Sequence, residues 1–440
     1  LIRPGPIQGN MVHPYLRRRL GLEPVTYAHP LLEPALAETL GVILFQEQVL
    51  KVARDLAGFS PGQGEQLRRA LGSKRAGEKI ERFLTEFLAG AAAQGVPSDT
   101  AELVFDQLRA FGGYSFAKSH AAAFAVLVYQ SAWLKRYHFA PFYTALLNNQ
   151  PMGFWNPAVL VNEARRAGVP VLPVDIHLSP AQCAPVPETE GGGIRAECNG
   201  IRAECNGIRA ECNSIRAECN SIRLGFNYVK NLREENVERL LAAREQAPFT
   251  TLVDFCKRVR TGRQATENLI QAGAMDGWGL PRRQLLWELE ELDDQEGELD
   301  LVFAGQEVAL PALSPAEAML GEQDVLGLST GDHIMTFFRN WLDERGVLDS
   351  EGLLRIADGQ RVLVAGLVVV HQSPPTAKGH HFITLEDESG MINVIIRPRV
   401  YARYQRTWRE SRLLIVEGDV QQEGGVTGLL ARRAKPLQSN

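Results

Sequence analysis

Gly112-Gly113-Tyr114-Ser115-Phe116-Ala117-Lys118-Ser119-His120 runs directly into AAAFAVLVYQSAWLKRYH (121–138). A glycine pair and a Tyr-Ser-Phe turn open onto a helix whose first residues include a lysine, a serine and a histidine. The run behind them is apolar almost all round, which predicts a helix buried in a core. A helix start carries unpaired N–H groups and a partial positive charge, so it suits an anion such as phosphate. Lys118 and His120 add two side-chain donors aimed the same way. The same spacing equally fits an ordinary helix start with solvated residues, and spacing alone does not choose between them.

Working outward, residues 1–165 carry a helical pattern. Apolar residues recur every three to four positions in 35–56, 65–71, 78–93 and 100–111, as amphipathic helices require. Turn signals separate them at 59–62 (FSPG), 95–99 (GVPSD) and the glycine pair, with Ser98 or Asp99 placed to cap the fourth helix. Beyond the opening stretch, 157–167 predicts a short helix and 169–174 (VPVLPV) a short strand.

Residues 191–223 break the pattern. After three glycines come IRAECNG, IRAECNG, IRAECNS, IRAECNS and IR. A period of seven places Ile and Cys along one helix side, yet each heptad ends in Asn-Gly or Asn-Ser, which break helices. Structural zinc takes cysteines two to four apart, not seven. The array reads as a tandem duplication in a tolerant surface loop, with metal scavenging or a short coiled coil as the other readings. Four of the six cysteines belong to it. The other two, Cys183 and Cys256, are isolated, which fits a reduced, cytoplasmic protein.

From Leu224 short helices are expected at 226–232, 234–244, 251–258 and 267–272. Two segments look like halves of helix-hairpin-helix motifs, YVKNLREENVERLL (228–241) and LIQAGAMDGWG (269–279). Such a hairpin offers backbone N–H groups to a DNA phosphate and needs glycine for close approach. Here Asn231 and Arg233 stand where Gly-x-Gly is expected, with Lys230 and Arg233 as phosphate contacts; plain helical packing is the alternative. The last eighty residues alternate like strands at 361–370, 381–386, 391–396, 413–418 and 427–431, with a helical insert at 400–410. That is the order of an OB-fold barrel, often a reader of single strands. His381, Phe382, Arg397, Arg399 and Arg412 supply its rings and charges, unless the barrel serves only to pack on its neighbours.

Composition bounds the rest. The 440 residues are 45% hydrophobic and 22% charged, with a net charge of −5. No run reaches the roughly 18 uncharged apolar residues of a membrane helix, and no signal peptide is expected. The chain opens at Leu1 inside a Pro/Gly turn, which suggests a piece of something longer. Residues 1–140 hold 5 Lys and 11 Arg against 12 acids, a balance of +4, whereas 288–300 (ELEELDDQEGELD) hold eight acids and no base. Basic zones beside an acidic linker suit a nucleic-acid binder.

Several long motifs carry a resemblance: LIRPGPIQG (1–9), GVILFQEQVL (41–50), EQLRRALGSKR (65–75), GGYSFAKSHAAAFAVLVYQ (112–130) and LKRYHFAPFYTALLNNQPMG (134–153). Together they resemble bacterial C-family DNA polymerases, relatives of the polymerase III alpha subunit. FNYVKNL (226–232), LIQAGAMD (269–276) and VLGLSTGDHIM (325–335) fit the error-prone, damage-tolerant branch better. The resemblance implies a multi-domain, mainly α chain followed by a β-barrel. Its parts would be fingers at 1–190, a heptapeptide insertion at 191–223, a helix-hairpin-helix region at 224–285, an acidic linker and connecting segment at 286–350, and an OB domain at 351–440.

It also implies a function, the addition of dNTPs to a primer opposite damaged template DNA. In this family the palm, whose three aspartates hold two Mg²⁺ ions about 4 Å apart, lies upstream of the RPGP segment. Asp99, Asp106 and Asp175 sit singly, so the chain is expected to lack the catalytic centre and to be inactive alone. Its share of the chemistry would be the grip on the nucleotide, through Arg68, Arg69, Lys74, Arg75, Tyr114, Lys118 and His120. Arginine suits bidentate phosphate contact and lysine a point charge. Tyr114 and Phe116 would stack on the nascent base pair, with packing the equal reading for Phe116, and Gln46, Glu47 and Gln48 would brace the fingers. The peptide at 306–310 lacks the closing aromatic of a sliding-clamp ligand, so recruitment is expected through accessory translesion proteins. The competing reading is a DNA-binding protein of helix-hairpin-helix and OB modules with no catalysis.

Overall fold

The computed structural model describes residues 12–71, 77–112, 117–187, 221–293, 310–374, 377, 379–423 and 425–437. Lys74, Arg75, Tyr114, Phe116, residues 306–309 and all of the heptad array but Ser221 and the closing Ile-Arg lie outside them. The chain divides into two compact units, Leu1–Ala132 and Trp133–Asn440.

In the first unit, helices α1 (Val12–Arg19), α2 (Glu33–Leu36), α3 (Gln46–Ala57), α4 (Pro61–Leu71), α5 (Gly77–Ala93) and α6 (Ser98–Gly112) precede α7 (Lys118–Tyr137). The apolar face of α3, Val49, Val52, Ala53 and Leu56, is buried with Leu67, Phe87, Phe105 and Leu108. Rings of Phe59, Phe87 and Phe105 follow one another at 6.0 and 5.3 Å. Helix α5 approaches α3 so closely that a Cβ on Gly90 would stand 2.1 Å from the Ala57 carbonyl oxygen.

Three expectations fail in this unit. The helix expected over 35–56 is two helices, because Leu40 and Gly41 turn left-handed at φ 55° and 81°. Gln48 stabilises that break: its Oε1 accepts from Leu44 N and Phe45 N, and its Nε2 donates to Ala35 O and Thr39 Oγ1. Neither Ser98 nor Asp99 caps α6, since the helix already begins at Ser98 and Ala101 N donates to Pro97 O. Finally, α7 buries none of its residues, with Val128 64% and Tyr129 73% exposed. An apolar circumference states a need for cover, and the buried cluster of this unit holds no α7 residue.

The second unit begins with α8 (Phe139–Asn148) and α9 (Pro157–Arg166), followed by strands β1 (Val171–Leu172), β2 (Ala184–Val186) and β3 (Ser221–Arg223). The strand expected over 169–174 is thus two residues long. Strand β3 lies between the other two, parallel to β1 and antiparallel to β2. Helices α10 (Glu234–Gln246), α11 (Leu252–Val259), α12 (Arg263–Gln271), α13 (Arg282–Asp293) and α14 (Pro315–Leu326) surround a core that includes Phe226, Leu240, Phe255, Leu269 and Leu285.

The barrel follows α15 (Arg339–Asp343), β4 (Val347–Leu348) and α16 (Ser350–Leu354). It consists of β5 (Arg361–Gln372), β6 (His381–Glu386), β7 (Met391–Ile396), α17 (Pro398–Arg403), α18 (Gln405–Glu410), β8 (Leu413–Glu423) and β9 (Val426–Pro436). The strand order is β4-β5-β6-β7-β9-β8, and β5 also pairs with β8, which closes five strands into a barrel. Alternate residues such as Ile383, Leu385, Ile392, Val394 and Val416 fill it with Trp408, as a period of two demands. One fully buried carboxylate joins barrel to helices: Glu386 accepts from Arg166 Nη2 at 2.9 Å and Asn162 Nδ2 at 3.2 Å. No described helix is long and apolar enough to cross a membrane.

Candidate nucleotide and nucleic-acid interface

In the first unit the start of α7 is already occupied by a carboxylate. Lys118 N donates to both oxygens of Glu47, at 2.9 and 3.1 Å, and Lys118 Nζ pairs with Glu38. A carboxylate at that position meets the unpaired N–H and the helix dipole as a phosphate would. The Lys118 hydrogen bond holds the Glu38 carboxyl below its usual range against its burial, helped by the charges of Lys118 and Lys51.

Helix α4 adds the arginines. Arg68 clamps Glu65 through Nε at 2.7 Å and Nη2 at 2.6 Å, and Arg69 Nε reaches the same carboxylate at 2.9 Å. The hydrogen bonds from Arg68 and then Arg69 push Glu65 down to about 2. Arg68 is pushed up, first by its bond to Glu65, with burial opposing and the charges of Glu65 and Glu47 adding to it. Arg68, Arg69 and Lys118 therefore share one cluster with Glu38, Glu47 and Glu65. His120 sits a helical turn from Phe124 and packs edge-on against it at 4.5 Å. Glu65 was legible by its spacing from the arginines; Glu38 and Glu47, 80 and 71 residues from Lys118, carried no local signal.

In the second unit the first hairpin forms without glycine. Asn231 takes the left-handed turn at φ 62°, the conformation that asparagine tolerates better than most residues. Lys230 N donates to Val325 O, its Nζ to Asp324 O, and its carbonyl accepts from Asn268 Nδ2 at 2.6 Å. Arg233 precedes α10 and is exposed. The other segment, 269–279, turns inward instead: Leu269, Ile270, Ala272, Ala274 and Met275 are buried, and Trp278 Nε1 donates to Phe249 O.

On the barrel, the His381 ring stacks on Tyr401 at 3.4 Å and 6°, and its Nδ1 lies 3.1 Å from His371 Nε2. Arg409 Nε donates to Tyr401 Oη. Burial lowers both histidines, and Arg409 lowers them further; His371 also feels His381. Phe382, the next residue on β6, faces the opposite side of the strand and stands exposed. His381 is paired in register with Ile396, so Arg397 follows immediately, with Arg399 exposed on α17. Arg412 lies on another flank, where its carbonyl accepts from Val368 N on β5. The sequence reading missed His371 and Tyr401; a histidine ten residues before His381 was the available sign. Among the described residues no group of three or more His, Cys, Asp or Glu could hold a metal ion.

Comparisons with known proteins bear on this arrangement. Residues 1–95 match the bacterial DNA polymerase III alpha subunit finger domain, 168–285 a helix-hairpin-helix motif and 362–437 an OB-fold nucleic acid binding domain. Over 437 residues the chain is 39% identical to an error-prone DNA polymerase of Mycolicibacterium paratuberculosis, covering 98% of this chain and 37% of that one. Over nearly its whole length the chain is similar to bacterial error-prone DNA polymerases. Corynebacterium efficiens has another at 39% identity, covering 99% and 38%, and Anaeromyxobacter sp. (strain K) one at 40%, covering 99% and 37%. The chain thus spans about 37% of the length of these error-prone polymerases. Arg68 and Arg69 fall inside the matched finger segment, and Lys118 and His120 follow it.

Proposed function

We propose that this chain is the nucleotide-gripping and DNA-holding part of an error-prone DNA polymerase, which extends a primer with dNTPs across damaged template. The observation that carries the reading is the likeness to error-prone polymerases over nearly the whole chain. Primer extension joins the primer 3′-hydroxyl to the α-phosphorus of a dNTP and releases pyrophosphate. Arg68, Arg69 and Lys118, with Lys74, Arg75, Tyr114 and His120, would bind and orient the triphosphate. Because Glu38, Glu47 and Glu65 already hold three of the cations, an incoming triphosphate exchanges with these carboxylates rather than filling an empty site. Lys230 and Arg233 at the hairpin, and His381, Phe382, Arg397, Arg399 and Arg412 on the barrel, would hold primer-template DNA.

Among the described residues no group of three or more His, Cys, Asp or Glu could hold Mg²⁺. Its carboxylates belong, on this reading, to the part of the relatives that this chain does not span. The apolar, uncovered α7 supports that division. We assign the domains as fingers 1–190, the heptapeptide insertion 191–223, the helix-hairpin-helix region 224–285, the acidic connection 286–350 and the OB domain 351–440, in a cytoplasmic enzyme recruited by accessory translesion proteins rather than by the clamp.

The test is primer extension with Mg²⁺ on a template carrying an abasic site. The 440-residue chain alone should bind the DNA without extending it, and the chain joined to the remaining segment of a relative should extend. Extension by the chain alone overturns the division of labour. Binding without extension in both forms favours the DNA-binding protein with no catalysis.

A further inference from the structure

A bulge shapes one side of the barrel. Strands β8 and β9 pair Glu417 with Arg433 and then Gly418 with Ala431, so Arg432 is an extra residue between them. A bulge breaks the alternation of side chains along a strand, and here Arg432 and Arg433 are both exposed although they are consecutive. Across the neighbouring strands Arg361 pairs in register with Asp419, and Asp419 with Leu430. Two adjoining clefts, about 440 and about 300 Å³, share Arg361, Asp419, Leu430 and Arg432.

The two clefts differ in charge. In the larger one Arg361 and Arg432 are balanced by Asp358 and Asp419. The smaller adds Arg397, Arg433 and Glu417, so four arginines face two carboxylates there. Arg361 and Arg432 donate to Asp419 through Nε, at 3.5 and 2.5 Å, and Arg433 Nε lies 3.8 Å from Glu417. Their side chains remain 55%, 52% and 72% exposed. A guanidinium held through Nε keeps its terminal N–H groups for a second acceptor. Val420 lines the larger cleft, Val400 the smaller and Leu430 both; among the described residues no ring lines either.

We propose that this double cleft is a docking site for a short acidic segment of a partner protein. Its acidic side chains take the arginines of the smaller cleft, an apolar side chain covers Leu430, and its main-chain N–H groups face Asp358 and Asp419 in the larger one. Strands β5, β8 and β9 are neighbours in the sheet, and their two spacings cover about 10 Å, the length of about three extended residues. A nucleic-acid backbone carries acceptors and charge of one sign along its whole length, so it suits the smaller cleft and gains nothing in the balanced one. Its bases would find no ring there to stack on. A peptide supplies acceptors, donors and apolar groups within a few residues, and so uses both clefts.

Fluorescence anisotropy of the full chain with a labelled hexapeptide, Leu-Ser-Leu-Asp-Glu-Asp, tests the docking site at constant salt. Alanine at Arg432 and Arg433 together should weaken the peptide about tenfold or more, the scale of a lost charge-assisted bond, and leave the affinity for labelled oligo(dT) unchanged. Arg433→Ala, at an exposed position safe for folding, should weaken the peptide about threefold, which keeps the test valid if the double variant melts early. Replacing both leucines of the peptide with serine should weaken it about tenfold. No binding of the hexapeptide by the parent chain overturns the proposal, as does equal affinity in the parent and in folded Arg433→Ala. Equal losses for the peptide and oligo(dT) in the double variant overturn it in favour of a phosphate backbone. Unchanged affinity for the serine peptide overturns it in favour of a general polyanion site. Primer extension plays no part in these titrations, so their result is independent of the polymerase reading.

Discussion

The fingers-side cluster and the barrel cleft use the same residue types in opposite proportion. Around α7, Arg68 and Arg69 share Glu65, while Lys118 meets Glu38 through Nζ and Glu47 through its backbone N–H, three carboxylates for three cations. In the barrel cleft four arginines face Glu417 and Asp419, and three of them pair with those carboxylates. Counting lysines and arginines marks both as anion sites, but pairing separates them. At the first cluster an anion must exchange with carboxylates at Arg68 and Lys118, while Arg69, held through Nε and 74% exposed, keeps terminal N–H groups free; the barrel cleft has more such capacity. That difference suits a small, tightly selected triphosphate in one place and an acidic peptide segment in the other.

The largest effects break the frames that hold each region. Arg166→Leu leaves Glu386 buried with its main partner gone and should cost about 3 kcal/mol in urea unfolding. Gln48→Ala strips four hydrogen bonds from the start of α3, where Glu47 is carried, and should cost about 2 kcal/mol; unfolding midpoints equal to the parent's would show that neither frame matters.

A smaller effect separates the regions by pH. His371 and His381 lie below their ordinary 6.5 in the fold, so the unfolded chain binds more protons just below that value. The histidines' contribution to barrel stability is then complete above about pH 7 and is lost as pH falls below 6.5 toward their lowered folded values. The Glu65 pairing, held at about 2, stays intact over that range. Melting the parent and His371→Asn at pH 7.5 and pH 5.5 checks this: the variant should lose less stability on acidification.

The smallest effect sharpens the exchange idea. Glu65→Gln frees Arg68 and Arg69, and ATP used as a triphosphate probe should bind about threefold tighter, the scale of an exposed ion pair. Weaker binding would mean that Glu65 positions the arginines for the ligand.

Legibility in the sequence followed the range of the interaction. All five barrel strands were placed, the second and third to the residue, because alternation and turn residues are local, while β8 and β9 each run five residues further than expected. The Arg68–Glu65 clamp follows from three- and four-residue spacing on one helix. The break at Leu40-Gly41 did not show, since the reason for it is the Gln48 side chain and the Arg18 bond to Leu40 O. Nor did the carboxylates on Lys118, which arrive from helices far along the chain. The apolar circumference of α7 was read correctly as a need for burial and wrongly as burial itself.

The most direct test measures two constants in the chain joined to the remaining segment of an error-prone relative: KM for dNTP and Kd for the acidic hexapeptide. The account predicts that Lys118→Ala raises KM about tenfold or more with Kd unchanged, the scale of losing one charge-assisted phosphate contact. Alanine at Arg361, Arg432 and Arg433 should raise Kd with KM unchanged. If both variants shift both constants together, the two regions are not separate grips and the account is wrong.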